Sequence, residues 1–183
     1  MVLLESNKTD LNSPIIDFSL KGVDDKFHSP EEFDEKNVLI IIFICNHCPY
    51  VKAVMERFVS FQKKYNDKGV QLIGINPNDT VTYPEDSFDN MKLFVEEYKM
   101  NFPYLIDETQ ETAKKYDAVC TPDIYVYDKE RKLKYRGRFD DNWQDEKSVT
   151  TNDLEKAVEL ILSDREVDFK QIPSMGCSIK WKS

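Results

Sequence analysis

Val38-Leu-Ile-Ile-Ile-Phe-Ile-Cys-Asn-His-Cys-Pro-Tyr-Val-Lys52 joins an unbroken apolar run to two cysteines separated by two residues. The run from Val38 to Ile44 is rich in β-branched residues and lacks polar alternation, the pattern of a strand covered on both faces by helices. Past Pro49 the period changes. Val51, Val54, Met55, Phe58 and Phe61 recur at the spacing of one helical face. Cys45 and Cys48 therefore fall where a buried strand ends and a helix begins.

The helix closes near residues 66–69, and Val70, Leu72, Ile73 and Ile75 predict a second strand, parallel to the first through a right-handed crossover. Residues 76–87 form a long loop rich in turn formers, opening into a helix with Met91, Phe94, Val95 and Tyr98 on one face. A short strand near 104–106 and a helix around 109–116 precede Thr121-Pro122. Alternation then predicts a hairpin through Ile124, Val126, Leu133 and Tyr135, and Asn152 with Glu155 caps a last helix carrying Leu154, Ala157, Val158 and Ile161. On the N-terminal side, Ser29-Pro30-Glu31-Glu32 reads as a capped helical turn. Ile15 to Leu20 reads as a strand, with a turn at residues 22–25 leading into a hairpin extension.

The chain has 183 residues, of which 40% are hydrophobic, enough for one substantial core and short for two. One domain over 1–183 is expected, with its core at about 15–165 and a tail at about 166–183. A formal net charge of -9 disfavours nucleic acid and anionic lipid as partners. The longest apolar run, seven residues, is too short for a membrane helix, and the N-terminus lacks an export pattern, so the cytoplasm is the expected location.

Four cysteines, Cys45, Cys48, Cys120 and Cys177, are few for a disulfide-stapled secreted domain, so chemistry is the better explanation for them. Helix N-termini carry unpaired N–H groups and partial positive charge, and cysteine pairs of this spacing at such a position commonly have thiol pKa values lowered to about 3.5–7.5. The first cysteine of such a pair, Cys45, is expected to be the more exposed and to attack. Cys48, one turn in, is expected to resolve the mixed disulfide. His47 lies between them as a candidate for tuning the thiols, and the resulting disulfide should be more oxidising than one with neutral intervening residues. The competing reading is a metal site of four thiolates, but only one close pair is present where a zinc knuckle needs two. His28 has no such context and is assigned no role.

These residues resemble the peroxiredoxin-like branch of the thioredoxin superfamily, grouped with the alkyl hydroperoxide reductase and thiol-specific antioxidant proteins. The resemblance runs through Cys45-Asn-His-Cys-Pro-Tyr-Val-Lys52, Tyr83-Pro-Glu-Asp-Ser-Phe88, Cys120-Thr-Pro-Asp123, Tyr135-Arg-Gly-Arg138 and Gly176-Cys-Ser-Ile-Lys-Trp-Lys182. It implies a thioredoxin fold, an α/β structure with a central mixed sheet flanked by helices. It also implies that Thr121-Pro122 is a cis-proline turn facing the cysteines, with the Thr121 backbone exposed so that a substrate chain can pair with it as an added strand.

Where the typical peroxiredoxin has a proline and a threonine before its peroxidatic cysteine, which aligns with Cys48, this chain has Ile41 and Cys45. The arginine that steadies peroxide has no counterpart. Arg136 and Arg138 are the nearest substitutes, and the plainer reading makes them exposed strand residues. Leu39 replaces the buried acid of thioredoxin, so proton transfer falls to solvent, His47 or a loop carboxylate among Asp79, Glu85 and Asp86.

Cys120 reads as a buried packing residue. Cys177, in a turn-rich tail, is a possible resolving cysteine, the alternative being a tail that docks through Trp181. Three functions remain. The first is a thiol-disulfide oxidoreductase without bound cofactor, working on a protein disulfide or dithiol and a cellular reductant. The second is a thiol peroxidase in which Cys48 meets peroxide and becomes a sulfenic acid. The third is a non-enzymatic redox-sensing module.

Overall fold

The computed structural model describes residues 3–7 and 10–182. Strands β1 (Leu3–Glu5), β2 (Leu20–Gly22) and β3 (Phe27–His28) come first, followed by a 3-10 turn at Pro30–Phe33 and the central strand β4 (Val38–Phe43). Helix α1 (Pro49–Tyr65) leads to β5 (Val70–Asn76), and α2 (Phe88–Tyr98) leads to β6 (Tyr104–Ile106). After α3 (Glu111–Lys115) come β7 (Cys120–Thr121), β8 (Asp123–Tyr127), β9 (Leu133–Arg136), α4 (Asp153–Leu162) and β10 (Met175–Ser178). Among these residues no helix is long and apolar enough to cross a membrane.

Seven strands make one mixed sheet in the order β3-β2-β6-β5-β4-β8-β9. β4 and β5 are parallel, with Val38 opposite Val70 and Phe43 opposite Ile75, and a parallel neighbour requires the crossover that α1 supplies. Every residue of β4 is buried, and the strand's period of two divides them between two cores. Val38, Ile40 and Ile42 pack with Phe58 of α1, Met91 of α2 and Leu154 of α4. Leu39, Ile41 and Phe43 pack on the other face with Ala113 of α3, Tyr125 and Phe18. The apolar residues predicted to line α1 are at most 4% exposed, and burying each contributes about 1.5–3 kcal/mol. The helical path stops at Gly69, whose φ of +76° suits glycine, and a Cβ there would lie 2.6 Å from the Asn37 side chain.

Two stretches differ from the sequence expectation. The N-terminal hairpin is formed by β2 and β3, so residues 15–19 are not its strand. β6 reaches only Lys21 and Gly22, and the residues before them contribute Phe18, Ile15 and Ile16 to the second core instead. The expected tail is also pinned into the fold. β10 lies between β1 and β7 in a three-stranded antiparallel sheet, with Leu3 opposite Cys177 on one side and Thr121 opposite Cys177 on the other. Trp181 lies under Lys114 Nζ at 5.8 Å from its ring centroid. That ring is 40% exposed, and the segment is held by backbone bonds from Ile179 N to Val119 O (3.0 Å) and from Asp79 N to Lys180 O (2.8 Å).

Candidate active site

β4 delivers Ile44 and Cys45 to the carboxyl edge of the sheet, and the chain turns through Asn46 and His47 to Cys48, the N-cap of α1, with Pro49 at the first helical position. Across from this turn the Thr121-Pro122 peptide is cis. The Cys45 sulfur lies 3.5 Å from Thr121 Oγ1, and the Cys48 thiol donates to Thr121 O at 3.2 Å. Both thiols are covered, Cys45 being 1% exposed and Cys48 0%, so the greater exposure expected of Cys45 is not found. The Thr121 backbone is not open either. Its strand edge is taken by β10, and Thr121 is fully buried.

The long loop between β5 and α2 supplies the polar support of the turn. Asp86, fully buried, accepts from the backbone N–H groups of Asn46 (2.8 Å) and His47 (3.1 Å) through Oδ1. Its Oδ2 meets His47 Nδ1 at 2.6 Å and accepts from Asn78 Nδ2 at 2.7 Å. Asn46 is fixed in turn, donating to Glu85 O at 3.0 Å and accepting from Tyr104 Oη at 2.9 Å. The His47 ring stacks on Tyr83 with centroids 5.7 Å apart. Of the three loop carboxylates, Asp86 is therefore the one at the site. Asp79 accepts from Thr82 and Val81 in its own loop, and Glu85 contributes its backbone carbonyl.

The charges follow from this packing. Burial opposes the charge of Asp86, but the hydrogen bonds from His47 and Asn78 outweigh it and hold the carboxyl below its usual range. Asp86 in turn raises the pKa of His47 against the cost of burial. The hydrogen bond from the Cys45 thiol lowers Cys48 to about 5 despite burial, helped by Cys177, Thr121 and the backbone N–H of Val51. Cys45 is pushed the other way, by that same bond to Cys48, by burial and by the charge of Asp86. The favoured thiolate is thus Cys48 rather than Cys45, because Cys48 receives the bond from Cys45 with further donors in Cys177, Thr121 and the Val51 N–H, while Cys45 gives up that bond, is buried and faces the Asp86 charge.

Cys120 is fully buried, and burial raises its thiol pKa, in keeping with packing. Arg136 is not an exposed strand residue. It is buried on Asp123 at 2.9 Å, while Arg138 is bound to Asp153 at 2.5 Å, so both arginines are committed to carboxylates. His28 bridges Asp24 and Glu32 near the hairpin, at 3.0 Å to each.

Among the described residues, the candidate metal-ligating group is Cys45, His47 and Asp86, whose ligand atoms all lie within 4.8 Å of one another; the four cysteines do not form such a group. Both oxygens of Asp86 already serve the turn, which leaves the trio better suited to holding a backbone than an ion. A cleft of about 160 Å³ borders Pro122, Tyr50, Trp143 and Met175, so the cis-proline, the first turn of α1 and β10 meet at one concave surface.

Sequence reasoning missed Asn46, Asn78 and Tyr104. The available signal was the pair of asparagines flanking Pro77 at the carboxyl end of a buried parallel strand, beside the strand that delivers the cysteines.

A strand, a Cys-x-x-Cys turn and a helix on a central mixed sheet, faced by a cis-proline turn, define a thioredoxin fold. The chain belongs to the AhpC/TSA family, whose model matches residues 11–136. The solved structure of an uncharacterized conserved protein from Geobacillus kaustophilus is 44% identical, with a TM-score of 0.95 over 100% of this chain and 97% of that one. Thiol-disulfide oxidoreductase ResA from Bacillus thuringiensis subsp. konkukian (strain 97-27) is 24% identical over 129 residues, 70% of each chain. Peroxidoxin BcpB from Mycobacterium tuberculosis shares the fold, with a TM-score of 0.63 and 14% identity over 87% of this chain and 100% of that one.

Proposed function

We propose that this protein is a thiol-disulfide oxidoreductase in which Cys45 and Cys48 alternate between dithiol and disulfide, exchanging two electrons with a partner protein. The carrying observation is the Cys48 sulfur, seated at the N-cap of α1, where Cys177, Thr121 and the Val51 N–H favour its thiolate even when Cys45 is bonded elsewhere and has no proton to donate. A thiol of low pKa is a good leaving group. A thiolate of the partner attacks Cys45 of the disulfide, the Cys45-Cys48 bond breaks, and the electron pair leaves on Cys48. The partner's second thiolate then attacks its own sulfur in the mixed disulfide and releases Cys45, which takes up a proton because its thiol pKa is raised. The partner ends as a disulfide and the protein as a dithiol, which a cellular redox partner reoxidises. Asp86 and the backbone bonds it accepts hold the turn in place throughout.

Stabilising the Cys48 thiolate favours the reduced form, so the pair should accept electrons readily. Equilibration with glutathione buffers, read by alkylation and mass spectrometry, is expected to give a potential less negative than the roughly -270 mV of thioredoxin. A potential at or below that value would show that Cys48 carries no stabilised thiolate.

The low pKa of Cys48 also favours a second reading, peroxide reduction with Cys48 as the attacked sulfur. Arg136 and Arg138 are already paired with carboxylates, so neither is set to polarise the O–O bond. Rapid mixing with hydrogen peroxide separates the two. Oxidation far faster than that of a simple thiol, through a Cys48 sulfenic acid, would replace disulfide exchange as the conclusion.

A further inference from the structure

The tail sits where a substrate strand was expected. β10 pairs antiparallel with β7 so that Cys177 lies directly opposite Thr121, the residue whose carbonyl receives the Cys48 thiol at 3.2 Å. Gly176 brings this strand as close as a backbone can come, since a Cβ there would lie 1.9 Å from Thr121 O. β10 also packs on α1, and Cys45, Cys48 and Cys177 share one buried cluster. Cys48 and Cys177 lie near enough for each thiol to shift the pKa of the other, as Cys48 and Cys45 do. Cys48 is therefore the middle sulfur of three. Cys120, opposite Ser178 in the next register position, donates instead to the carbonyls of Pro122 and Ser174.

We propose that Cys177 is a third redox cysteine, an internal partner that takes Cys48 from the Cys45-Cys48 disulfide and stores the oxidised state as a Cys48-Cys177 disulfide. This rests on the proposed exchange chemistry of the pair and extends it. In the step, the Cys177 sulfur attacks Cys48, the Cys48-Cys45 bond breaks, the Cys48-Cys177 bond forms, and the proton lost by Cys177 ends on Cys45. One disulfide is exchanged for another, so no outside oxidant or reductant is consumed. The product ties β10 covalently to the first turn of α1 and returns Cys45 as a thiol. Burial and the neighbouring Cys48 hold the Cys177 thiol at about 12, so the step is gated by removal of its proton.

The test uses glutathione disulfide as oxidant on the full chain, with acid quenching, alkylation and mass-spectrometric mapping. In Cys45→Ala, Cys48 first forms a mixed disulfide and releases one glutathione. Cys177 then displaces the second glutathione and leaves a Cys48-Cys177 link. That second release is expected to be at least about 100-fold faster than in Cys45→Ala/Cys177→Ser, because a neighbouring thiol acts at an effective concentration of order mM or above. Cys120→Ala in the same background should release glutathione as Cys45→Ala does. A Cys48-glutathione adduct that persists equally in Cys45→Ala and in the double variant overturns the proposal. If these variants do not fold, the wild-type map decides: a Cys48-Cys177 peptide beside the Cys45-Cys48 peptide supports the relay, and its absence at every glutathione ratio ends it. Failure to form Cys45-Cys48 in wild type would instead remove the underlying oxidoreductase reading.

Discussion

Asp86 and Asp123 are both fully buried carboxylates close to the cis-proline side of the site, yet their environments drive them in opposite directions. Asp86 is paired with the His47 imidazole, and its two oxygens also receive two backbone N–H groups and an amide, and its pKa falls. Asp123 has the Arg136 guanidinium at 2.9 Å and still rises to about 6. Burial dominates there, because Arg136 and the Tyr125 hydroxyl both meet Oδ2, while Oδ1 accepts no hydrogen bond among the described residues. A counter-charge alone does not keep a buried carboxylate charged; Asp86 has both the His47 partner and further donors on each oxygen, whereas Asp123 has one oxygen unserved among the described residues. The carboxylate with the fuller set of donors is the one that holds the cysteine turn.

The largest expected effect comes from removing that acceptor. Asp86→Ala leaves the N–H groups of Asn46 and His47, the His47 ring and the Asn78 amide facing an apolar gap. A cost of about 3–5 kcal/mol in urea unfolding is expected, together with an exchange rate at Cys45 lowered by one to two orders of magnitude. A loss below about 1 kcal/mol would mean that the turn holds its shape without the carboxylate.

The opposite pKa shifts predict opposite responses to pH. The folded pKa of Asp123, about 6, lies above the roughly 3.9 of an unfolded chain, so between those values the folded state binds the extra proton. Its contribution to stability is complete below about pH 4 and is lost as pH rises to about 6, at roughly 1.4 kcal/mol per unit. Asp86 has a lowered folded pKa, so its contribution is present above the unfolded value and disappears as pH falls through the folded one. Urea unfolding of Asp123→Asn from pH 4 to 7 should have a shallower downward slope up to about pH 6 than wild type, the remainder coming from Asp107 and Asp140, whose pKa values are also raised by burial. An unchanged slope would assign that titration to another group.

The two carboxylates also mark what the sequence could disclose. β4, α1 and β5 were readable because hydrophobic period, proline and glycine agree over long segments, and this agreement placed Cys45 and Cys48 at the end of a buried strand. Asp86 was readable only as one of three loop acids. Choosing it from Asp79 and Glu85 requires knowing which side of the loop folds onto residues forty positions earlier. β1 and β10 were not readable at all. Three or four residues show no period, and the partners of Cys177 are Leu3 and Thr121, both remote in the chain. The burial of Cys45 is equally remote in origin, since it sits against Thr121, whose strand edge is closed by β10.

A smaller change divides the support of Asp86 into its parts. Asn78 is 4% exposed, donates to Asp86 Oδ2 at 2.7 Å, and accepts the backbone N–H of Lys180 at 2.9 Å, so it links the loop to the segment after β10. Asn78→Ala removes one of the donors to Asp86 and leaves the backbone pair and His47 in place. The expected cost is about 1–2 kcal/mol, below that of Asp86→Ala, with the Asp86 pKa moving upward toward its ordinary value. Stability would then be lost at a higher pH on the acid side than in wild type, while hydrogen exchange at the Lys180 amide would quicken. If Asn78→Ala instead costs as much as Asp86→Ala, the joint between loop and tail, rather than the carboxylate, holds the cysteine turn.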